Sequence, residues 1–291
     1  AETAKPVPVL VLRSSARPVD QGVLLRGETQ AARRVELRAG RVGLRPLRMS
    51  DARAWHDEQV RRSPCVLAAV GDVEPAEAAR LLSAAFGALE FREAAPFESP
   101  IWPGRVVQHV TTRDKAQTGL AIAFPSPARR DEDRVAAHLI AGVASGLGGR
   151  FFDELRDKQS LGYTDPATAS DRLAAGMFLA YIGTSPEKEG AARDGLLREF
   201  ARLCDAPVTD AELDRARTYA LGIHAIAQQS GGNVLAQLVD AWLYGTGIEE
   251  LDSVEERIRA VTPQAMRELA RANFDPARRV EGIVRGKPAA G

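Results

Sequence analysis

Arg156 and Tyr163 stand seven positions apart at the end of the run from Gly146 to Tyr163, and their chemistries are complementary. A guanidinium is a rigid fork of donors that can hold a peptide carbonyl or carboxylate. A phenol can donate a hydrogen bond to a carbonyl oxygen that is acquiring negative charge. Gly146, Gly148 and Gly149 precede the pair; by themselves they end one helix and begin the next. No Gly-Lys-Ser/Thr follows them, so they are not a phosphate loop. The Arg–Tyr pair can grip and polarise a peptide bond, but it supplies no nucleophile.

The rest of the chain offers little that would cut. Its four histidines are His56, His109, His138 and His224, and no two share the i, i+4 spacing of a helical metal pair. His56, in Trp55-His-Asp-Glu-Gln59, has acids on differing sides of a helix and reads as part of a solvated face. His138 has Asp131 and Arg134 as polar neighbours along its helix, without a partner histidine or an acid on the same face. His224 lies in an apolar helix and reads as packed. There is no G-x-S-x-G motif. Cys65 and Cys204 read as buried or free thiols, two cysteines being too few for a disulfide framework.

Bulk properties narrow the classes further. Lysine plus arginine and aspartate plus glutamate both number 39, so no global field draws nucleic acid to the chain. No apolar run approaches the roughly 18 residues of a membrane span. With 45% apolar residues, 291 residues can build one large or two ordinary domains. The compartment is left open.

The elements that must position Arg156 and Tyr163 come in a repeated order. Ser50 caps a helix that Pro64 breaks, and Thr262 caps another that Pro276 breaks; each pair is 14 residues apart. A strand follows in both cases, Cys65–Gly71 and Arg279–Gly286. The beginnings match too: Val7–Leu12 with Gln21–Leu25 predicts one strand hairpin, and Arg105–Val110 with Gln117–Phe124 predicts a second. The interiors differ: 138 positions run from Phe124 to Thr262, but only 25 from Leu25 to Ser50. The longer interior predicts a helix over Asp131–Ser145, the helix of Arg156, strands Tyr163–Ser170 and Gly176–Gly183, and three or four further helices before Arg259. Pro96, Pro100 and Pro103 mark a linker. The division expected is a shortened unit over 1–90, a linker over 91–104 and a complete unit over 105–291.

The run Gly148–Tyr163 resembles the signature of the second, non-zinc domain of the pitrilysin/insulinase family of zinc metallopeptidases. Val70-Gly-Asp-Val-Glu-Pro75, the Thr209–Gln229 helix with Glu212, Arg215 and Ala216, and the Val261-Thr262 helix start agree in order and spacing, and the resemblance covers about Met49 to Gly286. It implies an α+β fold of two related units, each a mainly antiparallel sheet backed by helices, the first truncated here. It implies that Arg156 holds substrate backbone, that Tyr163 polarises the scissile carbonyl, and that Gly146, Gly148 and Gly149 let the substrate-binding helices approach closely. The family's zinc motif, H-x-x-E-H, is missing from this sequence. The resemblance therefore implies no cofactor in this chain, with zinc in a partner chain or a missing segment. The expected partners are a zinc-bearing pitrilysin-like chain and an unfolded peptide substrate. Two other readings stand beside this one: a structural or peptide-binding protein that kept the fold without the chemistry, and an incomplete record of an intact zinc peptidase with its junction in Ala31–Arg45.

Overall fold

Leu120, Ile122 and Phe124 alternate along one strand with Gly119, Ala121 and Ala123, and that period of two decides which side of a sheet meets the core. A computed structural model describes residues 9–13, 48–62, 66–87, 99–145 and 149–287. The described strands are β1 (Val9–Arg13), β2 (Leu67–Gly71), β3 (Val107–Thr112), β4 (Thr118–Ser126), β5 (Tyr163–Asp171), β6 (Gly176–Thr184) and β7 (Val280–Arg285). The helices are α1 (Met49–Arg62), α2 (Pro75–Phe86), α3 (Arg134–Ala144), α4 (Glu189–Asp205), α5 (Asp210–Ala227), α6 (Gly231–Tyr244), α7 (Glu249–Ala260) and α8 (Pro263–Asn273). A π-helical segment, Phe152–Lys158, carries Arg156. Among the described residues, no helix is long and apolar enough to cross a membrane.

Contacts divide the chain into two compact units, Ala1–Phe97 with Ala227–Leu251 and Glu98–Ile226 with Asp252–Gly291. In the first, β1 pairs in parallel with β2, α2 packs on β1 and α6 on β2. Ser230 caps α6 by accepting from the Asn233 N–H, and Gly245 ends it at φ 67°, the left-handed geometry that glycine adopts without cost. Of the hairpin expected in this unit, Gln21–Leu25 lies outside the described residues. So does Cys65.

The second unit is a five-stranded sheet in the order β3-β7-β4-β6-β5. Leu120, Ile122 and Phe124 pair with Ile182, Ala180 and Phe178, and all six are nearly fully buried in one core with α3, α4 and α8. Phe200 of α4 sits among four other rings, with centroids 4.7 Å from Phe124, 5.3 Å from Phe151, 5.8 Å from Phe178 and 5.1 Å from Phe274. Thr262 caps α8 by accepting from the Ala265 N–H, and Asp275 turns the chain into β7 by accepting from the Ala277 N–H at 2.9 Å. Strands β5 and β6 and helices α4 to α7 occupy the stretches expected for them.

The hairpin expected of Arg105–Val110 with Gln117–Phe124 does not form. Strand β7 lies between β3 and β4, parallel to the first and antiparallel to the second. The connection Arg113–Gln117 is long enough to step over one strand, two spacings of roughly 4.8 Å each. Alternation sets the face of a strand but not its neighbour. Side chains help to place β7: Glu281, buried within it, accepts from Gln108 Nε2 at 2.7 Å and Arg279 Nε at 2.5 Å, and lies 3.2 Å from Arg193 Nε.

Candidate functional site

The segment that carries Arg156 is amphipathic. Phe151 and Leu155 are buried in the core, while Asp153, Asp157 and Lys158 face solvent. A π-helical turn is wider than an α-helical one, costs hydrogen-bond quality, and recurs at functional positions. The Arg156 guanidinium lies over the Phe152 ring, 4.6 Å from its centroid, a stack that restricts the long side chain. Lys158 Nζ donates to Glu154 at 2.6 Å on the exposed side.

The segment is closed tightly. The Ser160 N–H donates to the Arg156 carbonyl at 2.9 Å and the Leu161 N–H to the Leu155 carbonyl at 2.8 Å, a Schellman-like cap widened to fit the π turn. Ser160 occupies the left-handed region at φ 48°, a conformation costing about 1 kcal/mol for a residue with a Cβ. Lys188 Nζ donates to the Ser160 carbonyl at 2.8 Å, and the Thr184 hydroxyl donates to that of Leu161. Gly162, at φ 153°, passes so near β6 that a Cβ there would lie 2.0 Å from the Gly183 carbonyl oxygen. The next residue, Tyr163, opens β5 in register with Gly183. Arg156, Asp157, Ser160 and Gly162 line an open depression of about 400 Å³.

The N-terminal side is anchored from α5. Arg150 donates to Glu212 twice, at 2.7 and 2.9 Å. Glu212 also accepts from the Thr209 N–H and hydroxyl at 2.8 Å, closing a capping box on α5. The Arg150 guanidinium holds the Glu212 carboxyl down to about 2; burial opposes this, and the Thr209 donors add to it. Gly149 comes so close to the end of α3 that a Cβ would lie 2.1 Å from the Ser145 carbonyl oxygen. Gly146 and Gly148 lie outside the described residues. The sequence marked Glu212 only as part of the Thr209–Gln229 helix; that Arg150 would bind it was not legible, because 62 residues separate the partners.

His138 has an acid partner after all. Its Nε2 lies 3.5 Å from Asp171 Oδ1, and Arg129 and Arg134 reach the same carboxylate at 3.3 and 3.9 Å. The reading along the helix missed it because Asp171 arrives from the end of β5, which packs against α3. Burial would raise the Asp171 pKa, but His138 and Arg129 hold it well below the usual carboxylate range. His56 is exposed beside Asp57, His109 is exposed on β3, and His224 is half-buried. Cys204 is a free, half-buried thiol pushed up in pKa by burial. Among the described residues no three His, Cys, Asp or Glu side chains converge to hold a metal ion.

Residues 47–219 match the family model of the peptidase M16 inactive domain, more than half of the chain. The chain belongs to that family. Its M16 relatives include a protein of Streptomyces coelicolor named an uncharacterized zinc protease, 27% identical over 215 residues that cover 71% of this chain and 47% of that one. This chain thus spans about half the length of that relative. Among solved structures, an M16 inactive domain from Pseudomonas fluorescens superposes with a TM-score of 0.73 at 21% identity, covering 84% of this chain and 60% of that one. The inactive peptidase domain of a putative zinc protease from Bordetella parapertussis gives 0.54 at 21% identity, over 62% of this chain and 97% of that one. The α+β architecture and the pitrilysin-like resemblance of the non-zinc domain both hold.

Proposed function

We propose that this M16 chain is the non-zinc half of a peptidase and works with a zinc-bearing pitrilysin-like half, on a partner chain or a further segment of a longer protein. Arg156 binds the backbone of an unfolded peptide, and Tyr163 donates to the carbonyl oxygen as it gains charge. Gly146, Gly148 and Gly149 let the active-site helices approach closely, and the sheet contributes a chamber wall. In the same reading the chain divides into a shortened unit over 1–90, a linker over 91–104 and a complete unit over 105–291.

One observation carries this reading. Arg156 and the tightly held turn that leads into Tyr163 border the same open depression. At Gly162 the backbone lies close against β6, which suits a donor that must keep its place during reaction.

The test is hydrolysis of a fluorogenic unfolded peptide by the chain reconstituted with its zinc-bearing half. Tyr163→Phe should lower kcat by about 10²–10³, the usual effect of losing an oxyanion donor. Arg156→Ala should act mainly on KM, since backbone holding is shared by ground and transition states. Unchanged hydrolysis in both variants, with assembly intact, would overturn the assigned roles.

A further inference from the structure

The turn between Arg156 and Tyr163 is held at three successive residues by side chains from one later stretch of chain. The Arg198 guanidinium of α4 donates to the Gln159 side-chain carbonyl at 3.1 Å. Lys188 Nζ donates to the Ser160 backbone carbonyl at 2.8 Å, and the Thr184 hydroxyl donates to that of Leu161. Thr184 is the last residue of β6, and Lys188 ends a short 3₁₀ turn, Pro186–Lys188, that leads into α4. The N–H groups of Ser160 and Leu161 are satisfied within the segment's own cap, whereas their carbonyls are bound from outside it.

Both donors are themselves well seated. Thr184 is 2% exposed and stands in register with Thr118 of β4, which is fully buried and accepts from the Gly286 N–H at 3.0 Å. A buried hydroxyl needs a partner, and valine would fill the same space without one. The bond to Leu161, rather than packing, accounts for a threonine at this position. Lys188 is exposed but adjoins buried Glu189, whose carboxylate accepts from Arg285 of β7 at 2.6 and 2.7 Å. The backbone beneath the lysine is thereby tied to the sheet. The carbonyl that Lys188 binds belongs to Ser160, at φ 48°, a conformation that persists only with support from its surroundings. Gly162 fits the same corner: a Cβ there would lie 3.1 Å from Thr184 Cα.

We propose that Thr184 and Lys188 are positioning residues for Tyr163. The inference rests on the functional reading above and deepens it by assigning what sets the donor's place. Rotation of the peptide units 160–161 and 161–162 would swing the start of β5, and each of those units is held by its carbonyl. On the strand side Tyr163 is in register with Gly183, the residue before Thr184. Neither positioning residue touches substrate in this reading. Their effect is on geometry, and a misplacement of about 1 Å can cost on the order of 10²-fold in rate.

The experiment is fluorine NMR of the full 291-residue chain labelled with 3-fluorotyrosine, which marks its four tyrosines, Tyr163, Tyr181, Tyr219 and Tyr244. Tyr163→Phe assigns the resonance of Tyr163 by deleting it. Thr184→Val should shift or split that resonance and leave the other three in place, and Thr184→Ser, which keeps the hydroxyl, should restore it. Lys188→Met should shift it too; this exposed position carries the test alone if Thr184→Val fails to fold. In the reconstituted hydrolysis assay Thr184→Val should lower kcat by about tenfold, with no further loss when residue 163 is already Phe. A Tyr163 resonance unmoved in both variants overturns the proposal. So does movement of all four resonances together, or a kcat loss that persists in full in the Tyr163→Phe background, since either marks a merely structural role. The NMR measurement needs no zinc-bearing half, so the two failures separate. An unmoved resonance where Tyr163→Phe lowers kcat overturns the positioning role alone; a moved one where Tyr163→Phe leaves hydrolysis unchanged overturns the functional reading.

Discussion

Glu212 shows how one carboxylate can hold a site without touching substrate. It joins α5 to the residue that begins the Arg156 segment through two charge-assisted hydrogen bonds from Arg150. Its pKa lies at about 2, below the ordinary carboxylate value, so folding favours the ionised form. The stabilisation is present in full above the unfolded value and is lost as pH falls from about 5 towards about 2. Glu212→Gln should therefore lower stability at pH 7 by about 1–3 kcal/mol in urea unfolding, and its melting temperature should fall less than the wild type's on acidification. An identical pH dependence in both proteins would remove Glu212 from this role. Local signals made Arg156 and Tyr163 legible in the sequence, because the two lie in one short run. Asp171 was not legible as the partner of His138, since the pair forms only once β5 meets α3.

Among the elements, the π-helical segment is fixed from below by α4. Gly195 faces Leu155 and Leu161: a Cβ at 195 would lie 2.7 Å from Leu155 Cδ2 and 3.2 Å from Leu161 Cδ1. Gly195→Ala should push Leu155, and with it the turn of Arg156, outward, at a cost of about 1–3 kcal/mol for overpacking. Thermal unfolding would register the cost, and a raised KM in the reconstituted hydrolysis assay would register the displacement; a wild-type KM would mean that the leucines absorb the methyl without moving Arg156. Helix boundaries were legible where side chains cap them, as Thr262 does for α8. The neighbour of β3 was not, because Val107–Thr112 is short and mostly exposed, and its side chains carry no pattern that selects a partner strand.

Across the second unit, Phe200 ties the sheet to the candidate site, meeting Phe124 and Phe178 on the strands and Phe151 at the start of the π-helical segment. Phe200→Ala should cost about 3–5 kcal/mol, a large share of a domain's total stability, and lower the melting temperature accordingly. A loss below about 1 kcal/mol would show that the surrounding rings collapse into the space. The place of β7 has a consequence for the order of assembly. The ribosome releases β3 and β4 early, yet the strand that joins them is the last of the seven to emerge. Until then β3 has no lasting neighbour in this sheet, its backbone donors and acceptors stay open, and any hairpin it makes with β4 must be undone to admit β7. Synthesis halted before residue 280 leaves β3 cut off from the rest of its sheet, a nascent chain in need of a chaperone.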